Sequence, residues 1–158
     1  MAKTVLLRID DRLMHGQIGK SWLKEVGADI IVVVNDKTFM DENSQKLMEI
    51  VTPLNTKIYF LTVEKAIKEL GNLEDDTEAL VLVENPKDAL SLVENGLDID
   101  MVNVGNMSRK YYKKKVNETV YVDDDDIACF KELKDLGKTL DIRALSTDKA
   151  DNDDKIFN

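Results

Sequence analysis

Histidine and cysteine are almost missing from this chain: its 158 residues contain one of each, His15 and Cys129. A single cysteine excludes an internal disulfide framework and fits a reducing compartment. One histidine with one cysteine leaves no zinc site of the usual kind and rules out chemistry that needs two imidazoles. Proline occurs only at positions 53 and 86, and no Pro-, Gly- or Ser-rich linker divides the chain. Long apolar runs are lacking too. The longest, such as Ile30-Ile31-Val32-Val33-Val34, are strand-length, and the N-terminus has no signal-peptide apolar region, so a cytoplasmic protein is expected. Cations are outnumbered, with a formal net charge of −9, which argues against nucleic acid as a partner. There is no Gly-x-x-x-x-Gly-Lys-Ser/Thr loop, no Gly-x-Gly-x-x-Gly turn and no Gly-x-Ser-x-Gly elbow. Direct nucleotide use and serine-triad chemistry are therefore unsupported.

The length suits one domain over residues 1–158, with a core of its own and an acidic tail from about 149 expected to be flexible. Strand-like runs fall at Thr4–Ile9, Asp29–Val34, Lys57–Leu61, Glu78–Val83, Met101–Val104, Thr119–Val122 and Leu140–Leu145. Between them lie helical patterns. One runs from about Gly16 to Val26, buries Ile18, Trp22, Leu23 and Val26, and stops at Gly27. Another runs from near Asp41 to Val51, before Thr52-Pro53. A third spans Val63–Leu70 behind Thr62 as cap. A fourth has Asn85 as cap, Pro86 at its first position and Gly96 after its end. The last starts near Asp124, where Asp123-Asp124-Asp125-Asp126 suits a helix start, and stops at Gly137. Cys129 lies beside its apolar stripe and reads as packing, as do Trp22 and the methionines. Alternation of this kind predicts an α/β fold: an open, mostly parallel sheet of about seven strands with helices on both faces.

In such a sheet ligands bind beyond the carboxyl ends of the strands. The loops Asp10–Gly16, Asn35–Met40 and Asn103–Arg109 should meet there. The first carries the only imidazole together with Asp10, Asp11 and Arg12. Either carboxylate could fix the imidazole tautomer, Arg12 offers a planar fork for a phosphoryl group, and Gly16 lets backbone N–H groups approach an anion at a helix start. The plainer reading is an Asp–Arg ion pair pinning a turn, with His15 incidental. The run Arg109-Lys110-Tyr111-Tyr112-Lys113-Lys114-Lys115 is a basic patch on an acidic protein. It fits either a solvated loop or a patch that attracts an anionic surface or a phosphorylated partner. The chemistry left by elimination is phosphorylation of His15, with each charge-assisted hydrogen bond to the bound group contributing about 1.5–3 kcal/mol.

The run Leu7-Arg8-Ile9-Asp10-Asp11-Arg12-Leu13-Met14-His15-Gly16-Gln17 closely resembles the signature of the IIB subunits of the mannose/fructose/sorbose class of the bacterial phosphoenolpyruvate-dependent sugar phosphotransferase system. Ile31 through Asp36, Val122 through Phe130 and Arg143 through Asp148 resemble further family segments, and Val102 through Met107 is similar to its Asn-Ile-Gly-Gly-Met loop. The resemblance implies that His15 is phosphorylated through Nδ1 by the phosphohistidine of a IIA protein or domain. His15 would then pass the group to a sugar of the mannose, fructose, sorbose or amino-sugar class entering through IIC/IID membrane subunits. That is a protein-Nπ-phosphohistidine–sugar phosphotransferase, peripheral to the inner face of the membrane, with no cofactor and no metal. Asp10, Asp11, Arg12, Gly16 and Gln17 would bind or orient the phosphoryl group, supported by Asn35, Asp36 and Asn106. Met14 stands where the family has Ile or Leu, Asn106 replaces the second glycine of the third loop, and the basic stretch after Met107 is unusually heavy. These departures bear on partner or sugar preference rather than on the chemistry. Two other readings are a regulatory module, whose phosphorylation only reports sugar flux, and a ligand-binding α/β module with His15 unmodified.

Overall fold

A strand that is to be covered by helices on both sides must be apolar on both faces. The second strand, β2 (Ile30–Val34), consists of five β-branched residues and is buried at every position. The computed structural model, which describes residues 1–158, places it in a six-stranded sheet. The members are β1 (Lys3–Asp10), β2, β3 (Lys57–Leu61), β4 (Glu78–Val83), β5 (Met101–Asn106) and β8 (Thr139–Ile142), in the order β3-β2-β4-β1-β5-β8. All five pairings are parallel, with Leu7 opposite both Val81 and Val102.

Alternation along β1 divides the interior into two. Leu7 and Ile9 face a core of 26 buried residues, shared with α4 (Val63–Glu69), α5 (Pro86–Glu94) and α6 (Asp124–Asp135). Leu6 faces a core of 10, shared with Ile18, Trp22 and Leu23 of the first helical segment. That segment contains a π-helical turn at Ile18–Trp22, followed by α1 (Leu23–Val26), and ends at Gly27 with φ 67°. Thr62, Asn85 and Asp123 all accept a backbone N–H three residues on, as capping residues do. A short helix, α2 (Asp36–Phe39), precedes α3 (Glu42–Ile50), which Asp41 caps. No residue of α3 is fully buried, and Leu47 and Ile50 are exposed. No helix is long and apolar enough to cross a membrane.

Two expectations need correction, the strand count and the free tail, and the structure adds detail to the basic stretch. The sheet has six strands, because Thr119–Val122 does not join it: the edge beside β5 is taken by β8. Tyr121–Val122 (β7) instead pairs antiparallel with Lys114–Lys115 (β6), while Val120 bridges Met107. The basic stretch is partly tied down within the chain, two of its cations by carboxylates and a third by carbonyls. Lys113 reaches Asp126 at 3.0 Å, Lys114 donates to the carbonyls of Ile156 and Asn158, and Lys115 meets Glu118. Of its five cations only Arg109 and Lys110 make no side-chain hydrogen bond or ion pair. The tail from about 149 is docked rather than free. Asp151 pairs with Ile142, and α7 (Asp154–Phe157) sets Ile156 into the larger core at 0% exposure. Its abundant charge conceals the single apolar pair Ile156-Phe157 that anchors it.

Candidate active site

The chain builds the β4-β2-β3 side of the sheet after β1, then crosses β1 to add β5 and β8 on the other side. The carboxyl end of β1 therefore lies at a reversal of strand order, where open α/β sheets place their ligands. In a strand, residues two apart share a face. Arg8 and Asp10 consequently point together to the side of the smaller core, and both are 0% exposed.

Asp10 is the centre of the site. Its Oδ2 accepts from Arg8 Nη2 at 3.0 Å and Arg8 Nε at 3.3 Å, and bonds His15 Nε2 at 2.8 Å. Its Oδ1 accepts from the Arg12 amide at 3.0 Å and Arg12 Nε at 3.4 Å. The amide bond closes a turn that carries Leu13 at φ 58° and brings the chain round to His15. Burial works most strongly against ionisation of Asp10. The His15 hydrogen bond, the charge of Arg8 and the Arg12 amide together outweigh it and hold the carboxyl below its ordinary value. An ionised carboxylate only accepts, so Nε2 is the nitrogen that donates to Asp10, and in the neutral tautomer of the ring the lone pair lies on Nδ1. The His15 side chain is 18% exposed.

An Asp–Arg pair does pin the turn, and His15 is bonded into the same carboxylate. Asp11 has a different role from the one expected. Its carboxylate accepts from Asn106 Nδ2 (2.8 Å), Ser108 N (2.7 Å) and Ser108 Oγ (2.9 Å), which ties the β1 loop to the loop after β5. Asp10 alone orients the imidazole, and the Asn106 amide is spent on Asp11. Asn35 caps α2 and donates to Glu84, while Asp36 accepts from the Val63 amide. Neither bonds the His15 loop. Gly16 opens the helical segment, and a Cβ there would meet nothing within 4 Å. The first helical N–H to find an acceptor is that of Ile18, bonded to the His15 carbonyl at 3.0 Å. The Gly16 and Gln17 amides stay open. Gln17 makes no side-chain bond and lines a hollow of about 730 Å³ with Lys20, Lys24 and Ser146. A second cleft, of about 430 Å³, opens beside Arg12, Ser108, Lys110 and Lys113. The remaining Arg12 nitrogens, Nη1 and Nη2, have no protein partner.

Sequence reasoning missed the layer beneath. Arg8 Nη1 donates to Asn103 Oδ1 and to the Ala144 carbonyl, both at 2.8 Å. Asn103 Nδ2 donates to Asp141 and to the Arg143 carbonyl. Trp22 Nε1 donates to the same Ala144 carbonyl, and its ring lies 5.4 Å from Arg8 Cζ and 5.1 Å from Arg143 Cζ. The available signal was an arginine inside an otherwise apolar strand, since a buried charge needs partners.

The site and fold together define an open α/β protein that presents one imidazole bonded to a buried carboxylate, beside a guanidinium with two unpartnered nitrogens and an open helix start. Residues 4–158 match the model of the family described as "PTS system sorbose subfamily IIB component", and the chain belongs to that family of sugar phosphotransferase components. It is 37% identical over 150 residues to the N-acetylgalactosamine-specific phosphotransferase enzyme IIB component 2 of Escherichia coli, covering 95% of this chain and 96% of that one. With the fructose-specific EIIB component of Bacillus subtilis it shares 38% over 153 residues, 96% of this chain and 94% of the other. The crystal structure of the IIBSor domain of the Klebsiella pneumoniae sorbose permease superimposes with a TM-score of 0.92 at 36% identity, covering 98% and 96% of the two chains.

Proposed function

We propose that this IIB component carries a phosphoryl group on His15 Nδ1, received from a IIA phosphohistidine and delivered to a sugar. The observation that carries the reading is the 2.8 Å bond from Nε2 to Asp10. It supports a ring proton on the inner nitrogen, with the outer one as nucleophile. The Nδ1 lone pair attacks the donor's phosphorus, and the Nδ1–P bond forms as the donor N–P bond breaks. Nε2 keeps its proton, and the positive charge the ring gains is met by Asp10. In the return step a sugar hydroxyl attacks phosphorus, the Nδ1–P bond breaks with its electron pair returning to Nδ1, and the hydroxyl proton passes to solvent, which leaves the ring neutral with its proton on Nε2. The phosphoryl oxygens take hydrogen bonds from the outer Arg12 nitrogens and the open Gly16 and Gln17 amides. These are worth about 1.5–3 kcal/mol each where charge assists, with about 0.3–1 kcal/mol more from the helix terminus.

The mannose-specific EIIAB component of Escherichia coli is 40% identical over 144 residues, 90% of this chain but 45% of that longer one. Its name joins an A unit to a B unit, which supports a IIA protein as donor here. Relatives are named for N-acetylgalactosamine, sorbose, fructose and mannose, so the acceptor belongs to that group of hexoses and amino sugars. IIC/IID membrane subunits present it, and the chain works at the cytoplasmic face. The test is to incubate the chain with phosphoenolpyruvate, the general phosphotransferase proteins and a IIA donor, then to measure intact mass. One acid-labile phosphate is expected on wild type and none on His15→Ala. An unmodified wild type beside a charged donor overturns the proposal and leaves a binding module.

A further inference from the structure

Arg8 has no access to a phosphoryl group: it is fully buried beneath the His15 loop. Four of its five N–H donors are nevertheless committed, two to Asp10 Oδ2 and one each to Asn103 Oδ1 and the Ala144 carbonyl. Gly105 passes so close beneath the guanidinium that any Cβ there would overlap Cζ, Nη1 and Nη2. The Trp22 ring stands 5.4 Å away. A lysine offers a point charge on a flexible stem and cannot reproduce a planar fork gripped from this many directions. As a source of stability alone such an arrangement is poor, because buried ion pairs roughly cancel their own desolvation and apolar residues would serve as well.

We propose that Arg8 is a positioning residue for phosphoryl transfer: its guanidinium fixes the Asp10 carboxylate with Oδ2 against His15 Nε2, so that the ring turns Nδ1 outward. The same guanidinium holds the chain after β8 through the Ala144 carbonyl. There Ser146 bonds Ser21, on the helical segment that follows His15. Arg8 thus joins both ends of the imidazole's support into one unit. The proposal rests on His15 as phosphoryl acceptor, but its first consequence is visible in the unphosphorylated chain.

Because the chain has a single histidine, its side-chain ¹⁵N resonances are assigned without ambiguity. They are measured in mildly alkaline buffer for wild type, Arg8→Met, Arg8→Lys and Asn103→Ala, beside the rate of phosphorylation by a charged IIA donor. Asn103→Ala disturbs the same buried layer without removing a bond to Asp10. Wild type is expected to show one tautomer, protonated at Nε2. Arg8→Met loses that preference and accepts phosphate about 10–100-fold more slowly, as misoriented reacting groups do. Arg8→Lys falls between the two, and Asn103→Ala keeps the wild-type tautomer at reduced stability. Arg8→Met with wild-type resonances and a rate within about twofold overturns the proposal. Should Arg8→Met not fold, Arg8→Lys with both readouts unchanged does the same. Failure of wild type to take phosphate from a charged donor would instead sink the acceptor reading itself.

Discussion

Gly105→Ala adds one methyl group to the wall of the Arg8 pocket, and the consequence can be worked out atom by atom. The new Cβ would overlap Cζ and both Nη atoms of Arg8. The guanidinium cannot give way cheaply. Its Nη1 is held at 2.8 Å by Asn103 and Ala144, and its Nη2 at 3.0 Å by Asp10. Overpacking a filled interior costs about 1–3 kcal/mol, and losing the geometry of one hydrogen bond to a charged group adds about 1.5–3 kcal/mol. The expected loss is therefore about 2.5–6 kcal/mol. For a chain of this length each kcal/mol lowers Tm by about 2–4 °C, so calorimetry should show a fall of about 5–24 °C. Gly16→Ala is the matched control. Its Cβ would meet nothing within 4 Å and its φ is not left-handed, so stability should change by no more than about 0.5 kcal/mol. If Gly105→Ala melts within about 2 °C of wild type, the Arg8 pocket is not the rigid unit described.

Two further predictions concern parts of the fold away from the loop. Asp88 is pushed up to about 6, first by burial and then by Asp36 and Glu84. The stability it contributes is complete below its ordinary value of 3.8 and is lost as pH rises through about 6. Such a displacement is worth at most about 3 kcal/mol. Partial exposure and the favourable field of the α5 N-terminus reduce it to about 1 kcal/mol. Asp88→Asn should gain that amount in urea unfolding near neutral pH and gain nothing in acid, and an equal gain at both pH values would contradict the reasoning. Ile156→Ala should cost about 2–3 kcal/mol, the lower part of the range for a buried isoleucine because a terminal segment can open locally. A melting temperature equal to wild type would show that the docked tail adds nothing to the fold.

Local chemistry was the legible part of this chain. Caps at Thr62, Asn85 and Asp123 act over three residues, and the stops at Gly27, Gly96 and Gly137 take φ of 67°, 101° and 83°. Each is decided by side chains a few positions apart, so sequence alone places it. β2 was equally plain, because burial on both faces leaves an unbroken β-branched run. Adjacency misled where backbone direction decides. Asp10 ends a strand facing inward, whereas Asp11 begins a turn and faces the β5 loop, so two neighbouring carboxylates have unrelated partners. Long-range contacts were hidden for a different reason. Arg8 meets Asn103 and Ala144, 95 and 136 positions away, and no local pattern encodes such pairings. The edge position beside β5 was likewise contested by two strand-like segments, and only the assembled sheet shows that β8 fills it.

The most direct test of the account is the position of the phosphate on the ring. Uniformly ¹⁵N-labelled protein is charged by a IIA donor, and the single histidine is read by ¹⁵N and ³¹P resonance. Phosphorus is expected on Nδ1 of His15, with Nε2 still protonated and hydrogen-bonded to Asp10. Phosphorus on Nε2, or on any residue other than His15, would contradict it.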